Sequence, residues 1–369
     1  MFIKKRFSAF TGALIISALF TLNSCSSPHL GALLHDTVFG KPGEIQASSS
    51  KTYRQTQAQL NKILQNPSLT EETRYAVVSR IANNMLSIKD YNSAIIFLTE
   101  WVEDHPDDTY NAYWLLMTAY AYLETDASPM AIYYFERIIN NYEDLMVQGK
   151  SIHFLCYQHL IQLSTSSANK VIYFNQLINR FPNDVSITEL YYRLALEYEN
   201  EGDWDQAIKT LEKFLARNDS QTIQIAGYPN AYSNTKQLID FNNSSKNWTF
   251  ETLDSLVAAV KTALGSYNWR ALDRYRSKVN FFAMSWRQDE RDTILPDDFT
   301  MHNFMTGNRV YYRDKLDDSS SPTEAYLRTT GWNSYMNVWY FYFRKVNFPA
   351  DPDIHGRWEW AGIYYGEKM

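Results

Sequence analysis

The sequence predicts a chain in two parts: an α-helical array of about three to four helix pairs, then a smaller α+β domain with an antiparallel sheet. Three observations carry this reading. Apolar residues recur at helical spacing from about residue 52 to 218, with almost no glycine among them. At Gln221 the texture changes to a stretch holding Gly227-Tyr228-Pro229 and several Asn and Ser. Beyond it come two helical segments and then dense runs of aromatic and β-branched residues.

The 369 residues suffice for two domains with sizeable cores. Net charge is −6, and removing the first 24 residues takes away Lys4, Lys5 and Arg6 with no acid, leaving −9. An acidic chain argues against nucleic acid as a partner. The two cysteines are Cys25 and Cys156; once Cys25 is modified, no internal disulfide is possible and the fold rests on packing.

Residues 1–24 read as a signal peptide. Lys4-Lys5-Arg6 is the basic flank, and Phe7 to Leu22 is an apolar run without charge. The run ends in Leu22-Asn23-Ser24-Cys25, which resembles a bacterial lipobox of the relaxed, spirochaete-like kind, with Asn23 where a small or apolar residue is usual. The resemblance implies acyl chains such as palmitate on Cys25, hence a lipid bilayer partner and a place in the cell envelope. Either the outer membrane or the periplasmic face of the inner membrane would fit. Ser26, with no Asp after the cysteine, resembles the signal for leaving the inner membrane. The alternative is an ordinary secretory signal with an incidental cysteine. Residues 25–51, rich in Ser, Gly and Pro, are expected to be a flexible tether.

Residues 52–220 form the helical part. A first helix spans about Thr52 to Leu64. In the next pair Val78, Ile81, Ala82 and Met85 face Ala94, Leu98 and Trp101, and Pro106 stops the second helix. Tyr113, Leu116, Met117 and Tyr120 then pair with Ala131, Phe135 and Ile138. A third pair is degraded: Phe174, Leu177 and Pro182 fit, but Lys170 stands where a small residue belongs. The fourth has Tyr191, Leu194, Ala195 and Tyr198, then Gly202, Trp204, Ala207, Leu211 and Phe214. There Gly202 supplies a left-handed turn.

This series resembles the tetratricopeptide repeat. The resemblance implies a concave groove for a protein partner, lined here by Ser79, Asn83, Leu86, Asn111, Trp114, Thr118, Tyr122, Glu189, Tyr192, Leu196 and Glu199. These positions lack the Lys/Arg clamp that captures a C-terminal carboxylate. Trp114 and Tyr192 are the expected hot spots if exposed; the alternative is that both pack under the next repeat.

Residues 221–246 are a connecting segment around a short helix at 235–241, and 247–369 are the aromatic-rich α+β domain. A helix from Phe250 to Gly265, capped by Thr249, precedes a second at Tyr267 to Lys278. Strands are expected at 279–286, 309–313, 337–346 and 357–365, the last two joined through Asp351-Pro352-Asp353. This order is similar to NTF2-like cone folds, which implies a pocket lined by Trp339, Phe341, Phe343, Trp358 and Trp360, suited to sugars or apolar ligands. The alternative is that these rings are simply core.

Little else suggests chemistry. His153-x-x-Cys156-x-x-His159 has ligand residue types, but steps of three walk around a helix, so packing is expected there instead of a metal. Turn chemistry accounts for Asp351-x-Asp353-x-His355, and Asp297-Asp298 and Asp317-Asp318 read as solvated or capping acids. With no phosphate loop, nucleophile elbow or H-E-x-x-H, no catalytic residue, cofactor or metal is expected. The leading expectation is a non-enzymatic, membrane-anchored scaffold that recruits an envelope protein. The rival is a small-molecule or glycan-binding, possibly hydrolytic, C-terminal domain that the repeats position.

Overall fold

The computed structural model describes residues 50–147, 149–286, 299–333 and 336–368. Cys25, the leader at 1–24, nearly all of the 25–51 tether and Asp297-Asp298 lie outside the described residues. The chain divides into two compact units. The first runs to Asp203 and takes back Thr222–Pro229; the second is Trp204–Gln221 with Asn230–Met369.

The first unit holds α1 (Ser50–Leu64), α2 (Glu71–Ser87), α3 (Tyr91–Asp104), α4 (Asn111–Glu124), α5 (Ser128–Asn141), α6 (Ile152–Leu163), α7 (Ser167–Arg180) and α8 (Ile187–Glu201). Each helix packs on the one before it, so the unit is a row of antiparallel hairpins. A two-residue hairpin, β1 (Met146–Val147) with β2 (Lys150–Ser151), intervenes before α6. One core runs through the row from Val78 to Leu194. It contains the landmarks Ala82, Ala94, Leu98, Ala131, Phe135, Phe174 and Leu177.

The helix ends follow from local chemistry. Thr70, Asp90, Ser151, Ser166 and Ser186 each accept a backbone N–H of the first turn that follows. Helix α8 ends with Gly202 at φ 75°, where Gly202 N donates to Glu199 O and Asp203 N to Tyr198 O. That pair of bonds is a Schellman turn. The same two bonds close α2 around Lys89 (φ 61°) and α4 around Asp126 (φ 56°). Three first helices thus share one exit geometry, although only one has a glycine there. Lys170 departs from the repeat pattern because it is an ion-pair partner: its Nζ lies 3.4 Å from Glu197 on α8, which Ser167 also reaches.

The second unit holds α9 (Trp204–Leu215), α10 (Ala231–Asn243), α11 (Leu253–Gly265), α12 (Trp269–Tyr275), β3 (Phe282–Ser285), α13 (His302–Met305), β4 (Tyr311–Tyr312), β5 (Glu324–Thr330), β6 (Val338–Lys345) and β7 (Trp358–Tyr365). The sheet order is β3-β7-β6-β5-β4, and β4 to β7 form an antiparallel meander. Edge strand β3 differs from the antiparallel expectation: it runs parallel to β7, at the opposite edge of the sheet from β4, the strand that follows it in sequence. Helix α11 starts later than predicted. Phe250 exchanges both backbone bonds with Trp358, which keeps it extended, and Thr252 is the cap.

A bulge between β6 and β7 leaves Ala361 without a partner opposite. The extra residue reverses the alternation, so Trp358 and Trp360 before it and Ile363 after it all join one core with α11.

Candidate protein-interaction site

The structure spreads the predicted groove residues over very different environments. Asn111, Trp114 and Thr118 are buried outright, at 1%, 0% and 0% exposure. Trp114 is therefore no surface hot spot. Its ring lies 5.4 Å from that of Tyr75, and its Nε1 donates to Asp108 Oδ2 at 3.2 Å. Trp101 Nε1 donates to the same oxygen at 2.8 Å, so one carboxylate serves two indoles. Burial has a sequence cause: Asn111 to Leu123 carries no charge, and every residue from Asn111 to Ala121 is buried. Leu86 is also buried, while Ser79, Asn83 and Leu196 are half-exposed. Tyr122 stacks on Tyr134 with centroids 5.4 Å apart.

The positions on α8 are occupied by the chain itself. Tyr192 is 6% exposed, and the ring of Tyr228 meets it at 5.3 Å in an edge-on arrangement of 65°. Such a ring pair contributes about 0.5–1.5 kcal/mol beyond its burial. Arg193, one residue on, joins Glu189 at 2.8 Å through Nε. Its Nη2 donates to Ala226 O at 3.3 Å, and its guanidinium sits 5.9 Å from the centre of the Tyr228 ring. Burial pushes the Tyr192 phenol up to about 12, with Tyr228 and Glu199 adding to it. Burial also raises the Glu199 carboxyl. Along α8, Tyr192 thus meets the segment Thr222–Pro229 directly, Glu189 orients the Arg193 that bonds it, and Glu199 lies near the Tyr192 phenol.

In the second unit, the five expected pocket rings fill the interior. Trp339, Phe341, Phe343 and Trp360 are at 0% exposure and Trp358 at 6%. Trp332 stacks on Trp339 at 4.2 Å and Phe341 on Trp360 at 4.3 Å, leaving no space between the rings for a ligand. A cleft of about 330 Å³ opens elsewhere, between α10 and the ends of β6 and β7. Asn234, Gln237, Asn280 and Asn347 line it, with Phe241 and Phe348. At its wall the buried Glu359 accepts from Arg344 at 2.9 Å and from Trp248 at 3.0 Å, and Lys345 adds an exposed positive charge. Nothing in the sequence reading pointed to it, since its residues come from four separate segments.

The ligand-type residues have structural partners. His153 contacts Tyr142 O at 3.0 Å, His159 stacks on Phe135 at 5.1 Å, and Cys156 is a buried free thiol. Burial pushes the Cys156 thiol well up and the His159 imidazole down to about 4. Asp351 accepts from Asp353 N, and His355 Nδ1 accepts from Phe348 N. Asp317 accepts from Ser319 N and Oγ, as a turn acid does. Among the described residues no group of three His, Cys, Asp or Glu is placed to hold a metal ion, and no helix is long and apolar enough to cross a membrane.

A family model described as tetratricopeptide repeat matches residues 189–219, the segment that carries α8 and α9. No curated protein matches the chain. The chain therefore contains a tetratricopeptide repeat, an architecture that serves contact between proteins.

Proposed function

We propose that this tetratricopeptide-repeat-containing chain is a non-enzymatic scaffold, lipid-anchored through Cys25 in a bacterial envelope, that recruits a protein partner through the first unit. The observation that carries the reading is the row of helix hairpins in the first unit, whose last helix α8 belongs to the matched repeat and holds a peptide segment through a backbone carbonyl and a ring. Recognition by a carbonyl contact and an aromatic ring suits extended peptide, and it needs no cofactor. The anchor is supported by the basic flank, the uncharged run and Leu22-Asn23-Ser24-Cys25.

The test has two arms. Acyl labelling should disappear in Cys25→Ala, and label retained there would remove the anchor. Pull-down from detergent-solubilised envelopes should recover a protein that is lost when Asn83→Arg and Glu199→Arg alter half-exposed positions. Recovery unaffected by both would count against the scaffold.

A second reading is favoured by the cleft: the second unit binds a small neutral, hydroxyl-rich ligand such as a glycan. The amides of Asn234, Gln237, Asn280 and Asn347 have no hydrogen-bond partner among the described residues and can donate and accept, and two phenyl rings flank them. Titration with oligosaccharides, followed by shifts at these four amides, tests it; an unresponsive cleft removes it.

A further inference from the structure

The chain leaves the first unit after Asp203 and returns to it only for Thr222–Pro229, a short segment whose contacts are more like those of a ligand than of a core element. Ile225 to Tyr228 is a tight turn, closed by Tyr228 N donating to Ile225 O at 2.9 Å, with Gly227 at φ 83° in the position that favours glycine. Only Ile225 is buried, at 3% exposure; Thr222, Gln224, Gly227 and Pro229 are exposed and Tyr228 is half-buried. The turn meets α8 through two features, the Ala226 carbonyl on Arg193 and the Tyr228 ring on Tyr192, and the Ile225 side chain just before them in sequence is buried. Arg193 is already oriented by Glu189, so its second nitrogen is presented to a carbonyl at little further cost in freedom. A helix face that offers a fixed donor and a ring will take a peptide turn that presents a carbonyl and an aromatic ring at the same spacing.

We propose that this face of α8 is a peptide-binding surface occupied in cis by Thr222–Pro229, and that its partner in trans is a peptide turn with an apolar residue, a glycine and an aromatic residue in the order of Ile225, Gly227 and Tyr228. The inference rests on the scaffold reading and adds an internal competitor to it. A segment tethered on both sides acts at an effective concentration of roughly mM, so a free peptide binds weakly until the internal turn is weakened. The scaffold is then closed by default and opens to a partner that offers a better turn.

The experiment uses the whole chain in detergent and a fluorescent peptide with the sequence of residues 221–230. Anisotropy should show binding at least ten-fold tighter in Ile225→Ser/Tyr228→Ser than in the unaltered chain, and the gain should vanish when Arg193→Ala is added. No binding to a double variant that is still folded by circular dichroism overturns the inference. Should that variant fail to fold, hydrogen exchange in the unaltered chain decides: peptide at mM concentration should accelerate exchange of the Tyr228 amide, and unchanged exchange overturns the proposal. A partner recovered from envelopes equally by the unaltered chain and by Arg193→Ala would keep the scaffold and reject this mechanism.

Discussion

Tyr228 places its ring edge-on to Tyr192 at 5.3 Å, and the neighbouring Arg193 bonds the turn that carries it. A position that the repeat register assigns to a partner is thus filled from within the chain. The consequence for design is direct: substitutions meant to probe partner binding must avoid residues that are buried for other reasons.

Trp114 is such a residue. Trp114→Ala should destabilise the first unit by about 3–5 kcal/mol, because it empties a fully buried site. Asp108→Ala should cost about 1–3 kcal/mol by leaving the Trp101 and Trp114 indoles without their acceptor. Urea denaturation should also show that the two substitutions together cost less than their sum.

The three Schellman exits make a prediction of opposite sign. Lys89 and Asp126 hold a left-handed conformation that strains an ordinary residue. Lys89→Gly should therefore stabilise the unit by about 0.5–1 kcal/mol, and Asp126→Gly by less, since Asp tolerates that region better. Gly202→Ala should cost about 1 kcal/mol. Thermal melts of the three variants check the order.

Stability should fall on acidification before the carboxylates titrate. His159 has a folded pKa of about 4 against the usual 6.5, because burial disfavours the imidazolium. Between those values the unfolded chain takes up a proton that the folded chain refuses, so stability is lost as pH falls. The loss reaches about 3 kcal/mol near pH 4, and His153, also lowered by burial, adds to it in the same direction. Urea midpoints at pH 7 and pH 4.5 should differ, and His159→Gln should narrow the difference.

The aromatic interior of the second unit should behave as core. Phe341→Ala should cost about 3–5 kcal/mol, since its ring is buried and stacked on Trp360. Asn347→Ala, on the open cleft, should stay within about 0.5 kcal/mol of the parent in the same denaturation.

Much of the fold was legible because the chain states it locally. Gly202 marks a turn on its own, and Pro106 and Pro182 mark helix ends. The same turn at Lys89 and Asp126 was hidden, since neither residue announces a left-handed backbone. The burial of Trp114 was readable in principle from the uncharged run Asn111 to Leu123, but a register borrowed from the repeat placed the ring in a groove. Strand β5 was missed although Ala325, Leu327 and Thr329 alternate inward, because short and polar residues dilute the pattern beside the aromatic runs. The contact of Tyr228 with Tyr192 leaves no local trace, as it joins residues far apart in sequence.

The measurement that tests the scaffold most directly is site-specific photocrosslinking in intact envelopes. A photoreactive side chain replaces Leu196 or Glu199 on α8 in one set of cells and Asn347 on the cleft in another. The account predicts one discrete protein adduct from the α8 positions and none from position 347. Adducts from Asn347 alone, with α8 silent, would contradict it.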